Sequence, residues 1–233
     1  MELFRAAQAG SVHGVRTAHG KGGKLQYWHR PADQKSACHI ASENGHSGVV
    51  EYLLEAGVEV DCIVPTTKDT ALLLASSNGH VEIAKMLIRA KADPQLANAY
   101  GNTPLHSAAR IGNIELCRLL ISAGAVVDAI NNKGSSPLHM ACLSSIADPA
   151  IAQLLLDGGA FIDARDDRGT TPVLAAAANN RLDLLHFFLD EGARFDSVDD
   201  KGQDGLDIAT FHQLPRIIEF FKSLSGTAGG GRK

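Results

Sequence analysis

Three histidines stand at one position of a recurring segment, and their type and spacing raise the question of metal or acid–base chemistry. They are His39, His106 and His139. Imidazole rings that converge on one ion form a metal site, and a single ring can act as a general base near neutral pH. No HExxH or HxH spacing occurs around any of the ten histidines, so nothing places two rings on one helix face. We expect no metal and no cofactor.

A glycine- and lysine-rich stretch superficially suggests a phosphate-binding loop. It reads Gly20-Lys21-Gly22-Gly23-Lys24-Leu25. The first Gly of GxxxxGK is missing, Leu25 stands where Ser or Thr is required, and the stretch follows a predicted helix rather than a strand. We interpret it as a flexible basic insertion.

The four cysteines are too far apart in sequence for a CxxC zinc or redox motif. They are Cys38, Cys62, Cys117 and Cys142. This usage fits a reduced intracellular compartment. Cys38 and Cys142 fall on predicted core positions, where a cysteine acts as a small apolar side chain. Because no GxSxG elbow or distinctive acid pair is present either, the sequence predicts that the chain is not an enzyme.

An internal repeat supplies the elements that carry these residues. Copies of one segment begin at residues 36, 70, 103, 136, 171 and 204, so the period is 33 to 35 residues. The clearest copies are Thr103-Pro104-Leu105-His106-Ser107-Ala108-Ala109, Ser136-Pro137-Leu138-His139-Met140-Ala141-Cys142 and Thr171-Pro172-Val173-Leu174-Ala175-Ala176-Ala177. Thr or Ser caps a helix through its hydroxyl, and Pro is tolerated at the first helical position. Each copy therefore predicts the start of a helix.

A second signal keeps the same period. An apolar trio follows most copies by 16 or 18 residues, and a Gly comes shortly after most trios. The trios are Tyr52-Leu53-Leu54, Met86-Leu87-Ile88, Leu119-Leu120-Ile121, Leu154-Leu155-Leu156 and Phe187-Phe188-Leu189. The glycines are Gly57, Gly124, Gly159 and Gly192, with Lys91 in that place in one repeat. The pattern predicts a second helix that fills the core and ends in a left-handed cap.

With its copies in register over nearly the whole chain, the sequence resembles the ankyrin-repeat family. The resemblance implies an all-α fold, an ankyrin-repeat α-solenoid of about seven helix–turn–helix units with projecting β-turn fingers. It also implies that the recurring histidine bonds the backbone and braces a finger. We expect one domain at 1–224 and a flexible Gly-rich tail at 225–233. The repeats are expected at 1–30, 31–64, 65–97, 98–130, 131–165, 166–198 and 199–224.

The end repeats depart from the pattern. The first has Thr17-Ala18-His19 at the trio position, so we expect weak packing and a capping role. The last has Asp207 where the histidine would stand. The finger at 31–35 lacks the usual Gly, so its shape is not predicted.

In such a stack the fingers and first helices line the binding face, and the resemblance places the partner there. The predicted partner-binding residues are Tyr100, Asn102, Arg110, Ile111, Lys133, Met140, Leu143, Asp167, Arg168 and Asp200. Tyr100, Ile111, Met140 and Leu143 are apolar or aromatic at positions that need not be buried. We hypothesise that the repeats at 98–130 and 131–165 anchor the partner. The alternative is that these side chains merely pack on their neighbours.

Charge is unevenly distributed along the chain, whose net charge is −4. Residues 157–207 carry twelve acidic and five basic side chains. This acidic block includes Asp163, Asp166, Asp167, Asp196, Asp199, Asp200 and Asp204. The block either steers a basic partner or forms a solvated face, and we favour the second interpretation. Near the N-terminus, Tyr27 and Trp28 either cover the open end of the core or contact a partner.

Together these features predict a non-catalytic protein–protein interaction module that acts as a scaffold, adaptor or inhibitor. A proteasome-assembly-chaperone-like ankyrin protein and a regulatory fragment of a larger enzyme or channel are the alternatives. One or more proteins are the expected partners. We expect no nucleic acid, because the basic region at 1–35 is short and has no aromatic stacking platform. No membrane is expected, since no apolar run reaches about 18 residues, and we expect a monomer in the cytoplasm or the nucleus.

Overall fold

A computed structural model describes residues 2–23, 25, 34–144 and 148–228, with side chains up to residue 224. These residues form fourteen α-helices and no strand. The first eight are α1 (Glu2–Gln8), α2 (Val12–Gly20), α3 (Ala37–Glu43), α4 (Ser47–Glu55), α5 (Ala71–Ser77), α6 (Val81–Arg89), α7 (Pro104–Ile111) and α8 (Ile114–Ser122). The other six are α9 (Pro137–Cys142), α10 (Pro149–Asp157), α11 (Pro172–Ala178), α12 (Leu182–Asp190), α13 (Gly205–Phe211) and α14 (Pro215–Ala228). One pair of helices falls in each predicted repeat, which confirms the all-α repeat fold.

The contacts between helices divide the chain into two compact units, an N-terminal unit at 1–126 and a C-terminal unit at 127–233. In the N-terminal unit, α5 packs against α3 and α7, and α6 packs against α4 and α8. In the C-terminal unit, α11 packs against α9 and α13, and α12 packs against α10 and α14. Within each unit, first helices therefore pack on first helices and second helices on second helices, as in stacked helical repeats.

The first helices begin where the sequence pattern predicts. The side chains that accept a backbone N–H three residues later are Ser36, Thr70, Thr103, Thr171 and Asp204. Pro104, Pro137 and Pro172 each occupy the first turn of their helix. A cap of this kind contributes about 1 kcal/mol to helix stability, so these side chains fix the start of each short first helix.

The second helices fill the deepest part of the core through one residue of each trio. The fully buried middle residues are Leu53, Leu87, Leu120, Leu155 and Phe188. Because an α-helix turns by about 100° per residue, three consecutive side chains cannot all face the same neighbour. In the first repeat the middle residue is Ala18, which is also buried.

Several left-handed backbone positions lack a glycine. The non-glycine residues with φ between 55° and 71° are Gln34, Lys68, Lys91, Asn180 and Gln213. Lys91 (φ 71°) takes the place that Gly57 and Gly124 hold after other second helices, as the sequence predicts. Gln34 (φ 59°) supplies the positive φ in the finger at 31–35, which has no Gly. An L-residue at such a position costs about 1 kcal/mol.

Some predictions fall on residues that the structure does not describe. Lys24, Tyr27 and Trp28 lie outside the described residues, as do positions 229–233 of the predicted tail. Helix α14 includes 225–228, the first four residues of that tail.

Candidate functional site

The recurring histidines bond the backbone of the fingers, as the resemblance implied. The backbone N–H of Ser136 donates to Nδ1 of His139 (3.2 Å), so Nε2 carries the proton and donates to the carbonyl oxygen of Thr170 (3.0 Å). His39 makes the same pair of bonds, with Ser36 (3.2 Å) and Cys62 (2.9 Å). Burial lowers the pKa of His139, which keeps its ring neutral. Within the described residues, no three His, Cys, Asp or Glu side chains are grouped to hold a metal ion.

The cysteines are poor nucleophiles. Burial raises the pKa of the thiols of Cys38, Cys117 and Cys142 to about 12. Burial also raises the pKa of Cys62. Because the thiolate is the reactive form, these free thiols stay protonated near neutral pH and act as packing residues.

The fingers beside the first helices are held by one repeated hydrogen-bond pattern. Oδ1 of Asp166 accepts the backbone N–H groups of Arg168 (2.9 Å) and Thr170 (2.9 Å). Asn98, Asn131 and Asp199 accept the corresponding pair of N–H groups in their own fingers. Asx side chains favour such turns because they bond the backbone two residues later. The exposed residues thus held at the finger tips are Tyr100, Lys133, Arg168 and Lys201.

Neighbouring fingers are joined by backbone hydrogen bonds near their tips. In the C-terminal unit, the N–H of Asp167 donates to the carbonyl oxygen of Lys133 (3.0 Å), and the N–H of Asp200 donates to that of Arg168 (2.9 Å). These bonds set the spacing between successive tips. A side chain at one tip therefore has an equivalent neighbour at the next.

In the C-terminal unit, the fingers and the ends of the first helices border two adjoining open cavities, one on each side of the finger that carries Arg168. We call the two cavities together the finger groove. Its two walls are Lys133, Arg168 and Lys201 on the fingers and Leu143, Ala178 and Phe211 on the helix ends. The three helix-end residues each stand seven positions after the cap of α9, α11 or α13. Three consecutive repeats thus present one cationic and one apolar position each.

The apolar wall of the finger groove consists of two large side chains with a small one between them. Leu143 is 49% exposed and Phe211 is 76% exposed. Ala178 borders the groove on both sides of the finger that carries Arg168. The ring of Phe211 meets that of His212 edge-on, with 5.2 Å between the centroids.

Half of the predicted partner-binding residues line the finger groove. They are Lys133, Leu143, Asp167, Arg168 and Asp200. Met140 does not belong with them, since it is 8% exposed and belongs to the buried face of α9. The expectation that its position need not be buried is wrong. The residues four positions after the caps of α3, α5 and α7 are buried as well, namely Ile40, Leu74 and Ser107.

The other four predicted residues, Tyr100, Asn102, Arg110 and Ile111, lie in the N-terminal unit. Tyr100 is 69% exposed at its finger tip, and Arg110 is exposed in the last turn of α7. The backbone N–H of Asn102 donates to the finger turn. Ile111 is half-buried, with its side chain beside Gly79, which favours the packing alternative for this residue.

Most of the acidic block serves the fold. Of its twelve acidic side chains, seven were named above, and six of those seven bond within the chain. They are Asp166 and Asp199 in finger turns, Asp204 at the cap of α13, Asp163 and Asp196 at Arg194, and Asp200 at Arg165. Asp163 accepts the backbone N–H of Arg194 (2.9 Å), which links one repeat to the next. Neither interpretation of the block foresaw this structural role.

Sequence reasoning missed Phe211 and Lys201. The signal is visible when the repeats are aligned on their cap residues. Phe211 follows Asp204 by seven residues, just as Leu143 follows Ser136 by seven. Lys201 precedes Asp204 by three residues, as the other tip residues precede their caps.

Comparison with known proteins agrees with this geometry. The family model described as Ankyrin repeats (3 copies) matches residues 3–98 and 90–166, which together exceed half of the chain. The chain belongs to the ankyrin-repeat family. The crystal structure of the human ASB11 ankyrin repeat domain resembles this ankyrin-repeat protein with a TM-score of 0.79 and 25% sequence identity, over 90% of this chain and 91% of that chain. Because 605 solved chains match, the fold alone does not distinguish among partners.

Ankyrin repeats are generally protein–protein interaction modules, and their fold is generally a non-catalytic scaffold. No curated protein matches this ankyrin-repeat protein in sequence. Over the part of the chain that is described, no helix is both long and apolar enough to cross a membrane.

Proposed function

We propose that this ankyrin-repeat protein is a non-catalytic binding module that holds a segment of a partner protein in the finger groove. It acts there as a scaffold, an adaptor or an inhibitor. The observation that carries the proposal is the 76% exposure of Phe211 on the groove wall. Burying such a side chain against a partner is worth about 2 kcal/mol, and aromatic side chains are frequent hot spots of protein interfaces.

The position of Phe211 supports a role outside the fold. Helix α13 buries Gly205 and Ala209, while Phe211 stands in its last turn with most of its ring in water. Leu143 has the equivalent position on α9 and is also exposed.

The buried groups support a non-catalytic role. The thiols of Cys38, Cys117 and Cys142 have a pKa of about 12, and His139 uses both ring nitrogens in hydrogen bonds to the fold. Covalent catalysis needs a nucleophile and a base within reach of each other. The groove lining includes the hydroxyls of Ser135 and Thr170 beside His139, but both ring nitrogens of His139 are already bonded to the fold.

We extend the proposal to one protein-binding domain at 1–224 that acts as a monomer in the cytoplasm or the nucleus. The four free thiols support a reducing compartment. The net charge of −4 favours a protein over a nucleic acid or an anionic membrane surface as partner.

Affinity capture from native lysate, read by mass spectrometry, tests the proposal with the full chain as bait. The test variant is Phe211→Asp. The matched control is Phe161→Asp, because Phe161 is 72% exposed and lies outside the finger groove. We expect proteins that bind the wild-type chain and the control to be lost with Phe211→Asp. Equal retention by both variants would contradict binding in the groove.

A further inference from the structure

We infer that the finger groove binds a basic, amphipathic segment of the partner in its cavity beside Phe211, with Lys or Arg facing the carboxylates and a bulky apolar side chain on the Phe211 ring. This inference rests on the proposed function and narrows it to one partner chemistry. We call the cavity lined by Asp167, Arg168, Asp200, Lys201 and Phe211, with parts of α11 and α13, the Phe211 cavity. Its volume of about 640 Å³ lies within the range of about 300 to 1,000 Å³ that is usual for binding pockets.

The charge of the fingers changes along the groove. Each tip cation is preceded by two residues that are both amides in one finger and both acids in the next two. They are Asn131-Asn132 before Lys133, Asp166-Asp167 before Arg168 and Asp199-Asp200 before Lys201. The finger at 131–135 therefore has a charge of +1, whereas those at 166–170 and 199–203, which border the Phe211 cavity, have −1 each. The groove is most acidic where its apolar wall is most exposed.

The structural duties of these carboxylates do not remove their charge. Asp166 and Asp199 each accept two backbone N–H groups in their finger turns, and such bonds stabilise the ionised form of a carboxylate. Asp167 is exposed and lines both cavities of the groove, and within the described residues its carboxylate makes no hydrogen bond or ion pair. Asp167 therefore offers a carboxylate to a cation of the partner at no cost to the fold.

The surroundings of the Phe211 cavity are acidic as well. The block at 157–207 has twelve acidic and five basic side chains. Three of the basic side chains pair with an acid of the same block, as Arg165–Asp200, Arg181–Asp183 and Arg194–Asp196. With these pairs set aside, nine carboxylates stand against the two tip cations Arg168 and Lys201. Such an excess attracts a basic segment and disfavours an acidic one.

The wall opposite the fingers favours the same partner. Phe211 offers a large apolar contact to a bulky side chain, and the face of an exposed aromatic ring also attracts Lys or Arg. The helix that carries it, α13, has Asp207 in its first turn and no Lys or Arg. Arg168 and Lys201 are long, exposed side chains that can turn into solvent, whereas short Asp side chains stay beside the finger backbone. A segment that combines basic and bulky apolar residues therefore satisfies both walls.

A library of random peptides of about 16 residues, displayed on phage and panned against the full chain, tests the inference. Enriched peptides are then synthesised, and their Kd is measured by fluorescence anisotropy beside scrambled peptides of the same composition. We expect enriched sequences to combine Lys or Arg with a bulky apolar residue and to bind more tightly than their scrambled versions. Raising NaCl from about 50 to about 500 mM should weaken their binding.

Two variants with matched controls locate the binding. Asp167→Lys should weaken the enriched peptides by about tenfold or more, because it places like charges together. Its control is Asp190→Lys, on an exposed acid of the same block that lines neither cavity, and salt screening should limit its effect to less than about threefold. Phe211→Ala removes the ring without adding a charge and should also weaken binding, whereas its control Phe161→Ala should not.

The outcomes separate this inference from the proposed function. Enrichment of acidic or uncharged peptides that Phe211→Ala weakens would overturn the basic partner and retain the groove. The same holds if Asp167→Lys and Asp190→Lys change the affinity equally while Phe211→Ala weakens binding. Failure to enrich any peptide that depends on Phe211 would contradict the proposed function and the inference together.

Discussion

Nε2 of His139 donates to the carbonyl oxygen of Thr170 across 3.0 Å, which ties α9 to the finger that presents Arg168. The other ring nitrogen, Nδ1, accepts the backbone N–H of Ser136 (3.2 Å). The bond to Nδ1 requires a neutral imidazole, because a second proton would turn Nδ1 into a donor that faces the N–H of Ser136. One buried ring therefore makes the packing of this finger sensitive to pH.

We expect His139 to make the chain less stable as the pH falls below about 6.5. Burial lowers the pKa of His139 from its ordinary value of 6.5, so the unfolded chain takes up this proton at a higher pH than the folded chain does. The contribution of His139 is fully present above about pH 6.5 and is lost as the pH falls toward the lowered folded-state pKa. Urea denaturation at about pH 7.5 and about pH 5.5 measures the difference in the free energy of unfolding.

His139→Gln should be less stable than the wild-type chain at the higher pH and should lose less stability on acidification. His13→Gln is the control, because His13 is exposed on α2. Equal acid losses in the wild-type chain and His139→Gln would show that this ring does not carry the pH dependence.

Met140 and Leu143 should separate folding from binding. Met140→Glu places a charge in the core and should lower the free energy of unfolding by about 2 to 4 kcal/mol. Leu143→Glu changes an exposed side chain and should alter it by less than about 0.5 kcal/mol. Thermal and urea unfolding of both variants checks this. A stable Met140→Glu chain would restore Met140 to the binding surface.

The sequence predicts the repeat architecture well because helix starts and turns depend on local chemistry. A Thr or Ser cap followed by Pro, as at Thr103 and Thr171, determines the start of a helix within one turn of chain. The burial of Met140 is different, because it depends on which side of a short helix faces the neighbouring repeat. The sequence pattern shows which residues form the helix, but it does not show which of its sides faces the neighbouring repeat.

The candidate site is less visible in the sequence because its decisive features are differences between equivalent positions. Phe211 becomes notable when Leu143 and Ala178 are seen to share its wall. Asp166 and Asp199 look like surface charge until their bonds to finger N–H groups are known. Composition counts every carboxylate equally, whereas in the folded chain most carboxylates of the acidic block accept hydrogen bonds or form ion pairs.

Lys91→Gly should stabilise the chain by about 0.5 to 1 kcal/mol. Lys91 has a φ of 71°, where an L-residue is strained and glycine is not. Part of that gain is offset because glycine also gives the unfolded chain more freedom. The urea midpoint measures the change. Lys91→Ala is the control, since it removes the same charge and keeps the Cβ. An equal gain from Lys91→Ala would assign the effect to charge rather than backbone strain.

Arg181→Ala should lower the free energy of unfolding by about 2 kcal/mol, as expected for the loss of buried bonds to a charged group. Arg181 is buried, and its guanidinium donates to the carbonyl oxygen of Ser144 and to both carboxylate oxygens of Asp183 (3.0 and 2.6 Å). The bond from Arg181 also holds the pKa of Asp183 below its usual range.

Arg181→Lys should recover part of the loss, because lysine keeps the charge but not the forked geometry. Arg194→Ala is the matched control, since Arg194 pairs with Asp196 at the same two-residue spacing on the surface and should leave the urea midpoint unchanged. A similar loss from Arg181→Ala and Arg194→Ala would contradict a special role for the buried pair.

Gly205→Ala should destabilise the chain by about 1 to 3 kcal/mol, the usual cost of overpacking a core. Gly205 stands where Pro104, Pro137 and Pro172 begin the other first helices, and a Cβ added there would overlap the ring of Phe221. In a Phe221→Leu background the same change should cost less, because the ring that it meets is gone. Urea denaturation of the two single variants and the double variant gives the coupling free energy. Gly20→Ala, at a helical position with no atom within 4 Å of an added Cβ, is the control and should be neutral or slightly stabilising. Equal costs of Gly205→Ala in both backgrounds would show that the backbone of Gly205, rather than its closeness to Phe221, requires the glycine.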